Sequence, residues 1–160
     1  MSVLTRGFET LHEQCAIAAA AQNHPMDKIA AMCRQFVDFG IKQANLYNLM
    51  FTWHVPKFHD YLGTDMELSA RQELETALTV SELFINAIRA CADGKKPIPD
   101  ESARFLMIQT WCQAHGYIAG INNSLLNYMH ENPLAIKERL IEKIVEDIQA
   151  ETGNDIRSPN

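Results

Sequence analysis

The sequence predicts an all-α fold, an antiparallel bundle of about six helices. Three observations lead to this prediction. Apolar residues recur with the 3.6-residue period of a helix in each long segment, clusters of Pro, Gly and Asn separate those segments, and no segment shows the alternation that is typical of a half-buried strand. Because the turns are short, consecutive helices are expected to pack as antiparallel neighbours.

The length and composition fit one domain. The chain has 160 residues, 47% of them hydrophobic, and we expect a helical domain at 1–151 followed by a polar tail at 152–160. The formal net charge is −6, and the 14 basic residues are scattered among 20 acidic ones. Neither nucleic acid nor a membrane surface is therefore an expected partner of the chain itself.

The cysteines and the N-terminus indicate a reducing compartment. None of the four cysteines forms a C-x-x-C pair, and Cys33, Cys91 and Cys112 fall among apolar residues of predicted helices. This pattern is typical of small buried side chains. No signal peptide precedes the first helix, and the longest apolar run is too short to span a bilayer. We expect a cytoplasmic protein.

The helix boundaries follow from capping and breaking residues. The predicted helices cover residues 2–22, 25–43, 45–52, 66–93, 101–120 and 133–151. Pro25 suits the first turn of the second helix, Gly94 is expected to end the fourth, Asp100 is expected to cap the fifth, and residues 55–64 are expected to form a loop. The predicted core stripe of the second helix is Ile29, Met32, Cys33, Phe36, Val37 and Gly40. That of the fourth is Leu74, Ala77, Leu78, Ser81, Phe84, Ile85, Ile88 and Cys91.

The predicted helix at 101–120 is apolar almost all round. A helix with two apolar sides must be covered twice, once by its own chain and once by a partner, and small residues on one side would let another helix approach closely. The helix at 133–151 adds a wide apolar face, and symmetric homodimers are common. We predict a homodimer whose interface consists of Phe105, Ile108, Cys112, Gly116, Ala119, Ile141, Ile144, Val145 and Ile148.

Two motifs occur together in this chain. Residues 45–51 read Asn-Leu-Tyr-Asn-Leu-Met-Phe, and residues 111–116 contain W-x-x-x-H-G, with Trp111, His115 and Gly116. In order and spacing the chain resembles the C-terminal ligand-binding and dimerisation domain of one branch of TetR-type transcription regulators, over nearly its whole length. It departs from that family at Gln43 and Ala44, where Asn-Pro is usual. No helix-turn-helix with a basic recognition helix is found in the sequence, so DNA is expected as a partner only through a separate head domain.

An apolar pocket is predicted between the helices at 25–43, 45–52, 66–93 and 101–120. These segments are rich in aromatic and Met side chains, which repack around irregular ligands, and the resemblance implies an effector site at the same place. The opposing interpretation is a core that interlocks without a void. His115 is interpreted chiefly as a buried histidine bonded to a neighbouring helix or across a dimer, and alternatively as a polar ligand contact. The predicted lining is Phe36, Phe39, Leu46, Met50, Phe51, Phe84, Ile88, Met107, Trp111 and His115.

The residues of known catalytic and metal sites are not found in a usable pattern. Glu9 and His12 form the single E-x-x-H motif, and Cys112 with His115 supplies at most half of a zinc site. No phosphate-binding or dinucleotide-binding motif occurs. We therefore expect no cofactor, no metal and no enzymatic activity.

Two functions remain. The leading hypothesis is the effector-binding and dimerisation domain of a TetR-like repressor, in which a small hydrophobic effector shifts the helices and so releases DNA in the intact regulator. The alternative is a stand-alone helical dimerisation module without a ligand. A cavity of several hundred Å³ would favour the first over the second.

Overall fold

The computed structural model describes residues 1–92 and 96–153, and these two ranges contain helices and turns but no β-strand. The prediction of an all-α fold is confirmed. The six α-helices are α1 (Val3–Ala20), α2 (Pro25–Lys42), α3 (Ala44–Tyr47), α4 (Glu67–Ala90), α5 (Asp100–Asn122) and α6 (Lys137–Gly153). Within the described ranges, no helix is long and apolar enough to cross a lipid bilayer.

The first two helices begin at side chains that cap their free amides. Ser2 Oγ accepts a hydrogen bond of 3.0 Å from the amide of Thr5 at the start of α1. His24 Nδ1 accepts one of 3.3 Å from the amide of Met26, and Pro25 lies in the first turn of α2, as the sequence predicts. Such caps satisfy amides that have no partner within the helix.

The segment after α2 is more irregular than the predicted single helix at 45–52. Helix α3 has only four residues and continues into a π-helical turn, Asn48–Thr52, which we call the π turn. The amide of Trp53 donates to the carbonyl oxygen of Asn48 at 2.7 Å and closes this wider turn. The expected loop at 55–64 contains a 3₁₀ turn, Phe58–Tyr61.

Helix α2 lies at the centre of the bundle and packs against α1, α4, α5 and α6. Its predicted stripe is buried along its whole length. A Cβ atom at Gly40 would lie 2.7 Å from Cγ2 of Ile118, closer than carbon atoms can approach. The close packing of α2 on α5 therefore requires glycine at this position.

The predicted stripe of α4 is partly wrong. Leu74 is 39% exposed and Leu78 48% exposed, whereas Val80, which lies outside the predicted stripe, is buried. Leucines occur on two adjacent sides of this helix, and the periodicity alone does not decide which side meets the core. The predicted stop at Gly94 lies outside the described residues.

The ends of α5 and α6 differ from the expectation in detail. Asp100 is the first residue of α5 rather than its cap, and its carboxylate pairs with Arg89 at 2.7 Å. The predicted helix at 133–151 begins as a 3₁₀ turn, Pro133–Ile136, before α6.

Thr152, predicted to belong to a polar tail, is buried, and its hydroxyl donates to the carbonyl oxygen of Ile148. Residues 154–160 of that tail lie outside the described residues.

Candidate functional site

A small apolar pocket lies between α2, the π turn, α4 and α5. Its cavity volume is about 50 Å³, and hydrophobic side chains form nearly all of its surface. Its lining residues are Cys33, Phe36, Phe51, Ala77, Val80, Ser81, Phe84, Met107, Thr110, Trp111 and Ala114. We call this hollow the core pocket.

Aromatic rings surround the core pocket and contact one another edge to face or at a tilt. The Phe36 ring lies 5.9 Å from Tyr47 and 6.2 Å from Phe84, in both cases nearly perpendicular. Phe51 lies 5.9 Å from Phe36 and 6.2 Å from Trp111. Such pairs stabilise a core beyond the burial of their area, and here they leave only a narrow void.

Few polar atoms reach the core pocket, and none of its lining residues is charged at neutral pH. The polar side-chain groups of the lining residues are the hydroxyls of Ser81 and Thr110, the thiol of Cys33 and the indole N–H of Trp111. Burial raises the pKa of the Cys33 thiol to about 12, so this group remains protonated. A ligand in the core pocket would therefore be apolar over most of its surface.

His115 lies beside the core pocket and connects α5 to α3. Its Nδ1 atom is 2.8 Å from the hydroxyl oxygen of Tyr47, and its ring stacks on Trp111 at 4.6 Å with nearly parallel planes. Partial burial lowers the pKa of His115, and burial raises that of Tyr47, so both side chains are neutral at pH 7. The contact to a neighbouring helix corresponds to the main interpretation of His115 from the sequence.

The predicted pocket residues occupy three different places. Phe36, Phe51, Phe84, Met107 and Trp111 line the core pocket. Met50 lines a neighbouring groove instead. Phe39, Leu46, Ile88 and His115 line neither hollow; Phe39 and Ile88 are buried in the core, and Leu46 packs beside Gly7.

The residues that sequence reasoning missed are mostly small. Ala77 and Ser81 lie one turn apart on α4, and Thr110 and Ala114 lie one turn apart on α5. In this structure, the short side chains of α4 and α5 face several aromatic side chains, and the space between them is not completely filled. Their one-turn spacing beside Met107 and Trp111 is the signal that the sequence offered.

One apolar face of α5 is not covered by any residue of 1–92 or 96–153. Phe105 is 62% exposed and Ile108 57% exposed, and Cys112 and Gly116 are exposed on the same side. A Cβ atom at Gly116 would meet nothing within 4 Å. Ala119, the last predicted member of this side, is half-buried. We call Phe105, Ile108, Cys112 and Gly116 the outer face of α5.

The α6 residues predicted for an interface lie elsewhere. Ile141, Ile144 and Ile148 are buried inside the chain, and Val145 is half-buried. These isoleucines face the core of their own chain, because α6 covers α2 and the inner side of α5. The structure thus does not place them on the surface, where an interface between two chains would need them.

Metal-binding side chains are not gathered in the structure. Within residues 1–92 and 96–153, no group of three or more His, Cys, Asp and Glu side chains lies close enough to hold a metal ion. Of the cysteines, Cys15, Cys33 and Cys91 are buried and Cys112 is exposed.

The described residues thus form an all-α bundle that combines an apolar pocket with an exposed apolar helix face. The family model for the C-terminal domain of tetracyclin-repressor-like proteins matches residues 29–144, more than two thirds of the chain. The chain belongs to this family. Such domains are, in general, the effector-binding and dimerisation parts of transcription regulators rather than enzymes. No curated protein and no solved structure matches the chain significantly.

Proposed function

We propose that this domain binds a small apolar effector in the core pocket, in the cytoplasm, and that the binding is coupled to the release of DNA in an intact repressor. The observation that carries the proposal is the pocket itself. It lies between the four segments that the sequence and the family resemblance indicate, and Phe36, Phe51, Phe84, Met107 and Trp111 line it. Aromatic and Met side chains can repack around a ligand at a small energetic cost.

The size of the core pocket defines how an effector would act. Ligand sites commonly measure roughly 300–1,000 Å³, and this cavity measures about 50 Å³. An effector must therefore displace side chains, and with them the helices on which they lie. A ligand that binds one arrangement of the bundle more tightly than another shifts the population between the two, which is the coupling that regulation needs.

We further propose that the domain forms a homodimer, and the outer face of α5 supports this. An exposed run of apolar residues on one helix is stabilised when a second copy covers it. Gly116 has no side chain, and a Cβ atom built there would meet no atom of the described residues within 4 Å, so a second helix could approach closely at this position. Two copies joined in this way would hold two DNA-reading heads at a distance that depends on the bundle arrangement, with DNA contacted through those heads.

The effector hypothesis is tested by a thermal-shift screen of uncharged hydrophobic small molecules. At a hundredfold excess over the dissociation constant, a ligand should stabilise the wild type by about 2.7 kcal/mol. Phe84→Trp, which fills the core pocket, should abolish the shift. Phe39→Trp is the matched control, because Phe39 is buried but does not line the pocket; it should retain the shift.

A stand-alone dimerisation module is the second candidate, and the small volume of the core pocket favours it. In that case no compound in the screen stabilises the wild type, and a homodimer still forms through the outer face of α5. A shift that survives Phe84→Trp unchanged would place ligand binding outside the core pocket and would contradict the first proposal.

A further inference from the structure

A second hollow adjoins the core pocket on the side of α1. This groove has a volume of about 310 Å³ and lies between α1, the π turn, the 3₁₀ turn at 58–61 and α4. Phe8, Met50 and Ala77 are among its apolar lining residues, and Lys57 and Glu73 are its charged ones. Its volume alone reaches the lower end of the range that is usual for small-molecule sites.

The groove and the core pocket share one continuous face of α4. Ala70, Glu73 and Ala77 line the groove, and Ala77, Ser81 and Phe84 line the pocket, each three or four residues after the one before. Residues at this spacing lie on one side of a helix. Because a helix rises 1.5 Å per residue, this face is about 21 Å long from Ala70 to Phe84, and Ala77 belongs to both hollows.

The wall between the two hollows is formed by the π turn. Met50 lines the groove and its neighbour Phe51 lines the core pocket. Across the wall, the Phe8 ring contacts Phe51 edge to face at 5.5 Å. Methionine changes rotamer easily, and π-helical turns recur at functional sites. The buried Oδ1 of Asn48, in the same turn, has no hydrogen-bond partner among the described residues, so a rearrangement of this turn breaks no bond of that oxygen.

The charges around the groove favour one kind of polar group at its outer end. Lys57 is exposed at the rim, and its ammonium group forms no ion pair with any residue of 1–92 or 96–153; only its backbone amide donates to Asp60. Glu73 already accepts a hydrogen bond of 2.8 Å from the hydroxyl of Ser2. The Ser2 hydroxyl is neutral, so Glu73 keeps its negative charge, but that carboxylate already has a hydrogen-bond donor, whereas the Lys57 ammonium donates to no residue of the described ranges. The free donor at the rim is therefore cationic, and an anionic group is the complement of that ammonium.

We propose that the groove is the outer half of the effector site and that the whole site takes an amphipathic carboxylate. The carboxylate lies beside Lys57, and the alkyl body follows the face of α4 past Ala77, displacing Phe51, into the core pocket. This inference rests on the proposed function, since it extends the core pocket to the surface. It differs from the proposed function because the ligand must carry an anionic group and a long apolar body.

The test is a calorimetric titration with hexanoate, octanoate and decanoate, and with the alcohols of the same length, below their micelle-forming concentrations. Each added methylene group should tighten binding to the wild type by about fourfold. Lys57→Gln should weaken decanoate by about fivefold and leave 1-decanol unchanged, because an exposed ion pair contributes at most about that much. Lys42→Gln, an exposed lysine away from both hollows, is the matched control and should change neither.

A second variant tests the junction. Ala77→Leu adds bulk where the two hollows meet, so it should weaken decanoate markedly more than hexanoate. Two results would overturn the assignment of the groove. One is that Lys57→Gln and Lys42→Gln change the dissociation constant of decanoate equally; the other is that Ala77→Leu weakens hexanoate and decanoate by the same factor. The proposed function is tested separately. If the groove variants have no effect but Phe84→Trp abolishes the binding of uncharged ligands, the core pocket is supported as the effector site and only the assignment of the groove is wrong. If neither acids nor alcohols bind, the groove assignment also fails, and the screen of other hydrophobic compounds decides on the pocket.

Discussion

Helices α5 and α6 are neighbours in the bundle, and they use their apolar residues in different ways. Helix α5 places Leu106 and Ile118 in the core and Phe105 and Ile108 at the surface. Helix α6 turns its isoleucines inward and presents a mixed-charge surface that includes Glu138, Arg139, Glu142, Lys143 and Glu146. Packing one face of an amphipathic helix against the core removes its apolar surface from water. A helix that is apolar on two faces still exposes apolar surface when only one of them is packed. In the proposed homodimer, α5 rather than α6 would therefore supply most of the apolar contact surface.

Further apolar side chains are exposed after the end of α5. Leu125, Tyr128, Met129 and Leu134 are exposed in the turns that lead to α6. The contribution of α6 to a dimer would then come from its partly exposed residues, such as Val145, and not from the buried isoleucines.

The largest expected effect is that of Gly116→Arg on association. A long cation at a close helix crossing leaves a buried charge without a partner, which costs about 3–5 kcal/mol and should raise the dimer dissociation constant by more than about a hundredfold. Sedimentation equilibrium measures this change. The control is Ala150→Arg, which adds the same charge on the exposed side of α6; it should leave the dimer intact. A dimer that tolerates Gly116→Arg would move the interface away from the outer face of α5.

The second effect separates the two helices by their contribution to folding. Ile144→Ala in α6 removes a fully buried side chain and should lower the free energy of unfolding by about 2–5 kcal/mol. Ile108→Ala in α5 removes an exposed one and should change the folding of the monomer by less than about 0.5 kcal/mol while weakening association. Urea unfolding at several protein concentrations distinguishes the two. Equal losses of monomer stability would contradict the different roles of the helices.

A smaller effect concerns the inner side of α5, where His115 contacts Tyr47. Tyr47→Phe removes one hydrogen bond and should lower the free energy of unfolding by about 1 kcal/mol. The partial burial of the His115 ring also makes the stability pH-dependent. Because the folded state lowers the pKa of His115, the unfolded chain binds the proton more tightly. The stabilisation is present above the ordinary histidine pKa and is lost as the pH falls below it.

The pH effect is measured as the slope of the unfolding free energy between pH 7 and pH 5.5. The wild type should lose stability over this range, and His115→Phe, which retains an aromatic ring on Trp111, should lose less. An identical slope in both proteins would mean that the proton on His115 does not influence folding.

The smallest effect belongs to the charged surface of α6. Arg34 of α2 and Glu138 of α6 form a two-point ion pair at 2.9 Å, with both side chains about half exposed. Exposed pairs contribute about 0.2–1 kcal/mol, so Arg34→Ala should lower the free energy of unfolding by no more than that, and high salt should reduce the difference further. A larger, salt-independent loss would indicate that packing of the arginine stem matters more than its charge.

The boundaries of five of the helices could be read from the sequence to within four residues. Periodicity, Pro25 and the Asn-Pro pair at 132–133 place these boundaries by local chemistry alone. The segment at 45–52 was less predictable, because its apolar residues fit an α-helix equally well, and the wider π turn depends on contacts with α1 and α2. On α4, two adjacent apolar sides were available, and only packing showed that Val80 rather than Leu74 faces the core.

The sequence by itself determined the fold class, the family resemblance and the doubly apolar character of α5. These follow from residue spacing along one chain, which local backbone geometry converts directly into faces of a helix. Only the tertiary structure decided which face of each helix meets which neighbour. It showed that small residues such as Ala77 and Thr110 shape the core pocket and that the isoleucines of α6 belong to the core of their own chain. The physical reason is that voids and exposed surfaces are properties of several elements packed together, and no single segment encodes them.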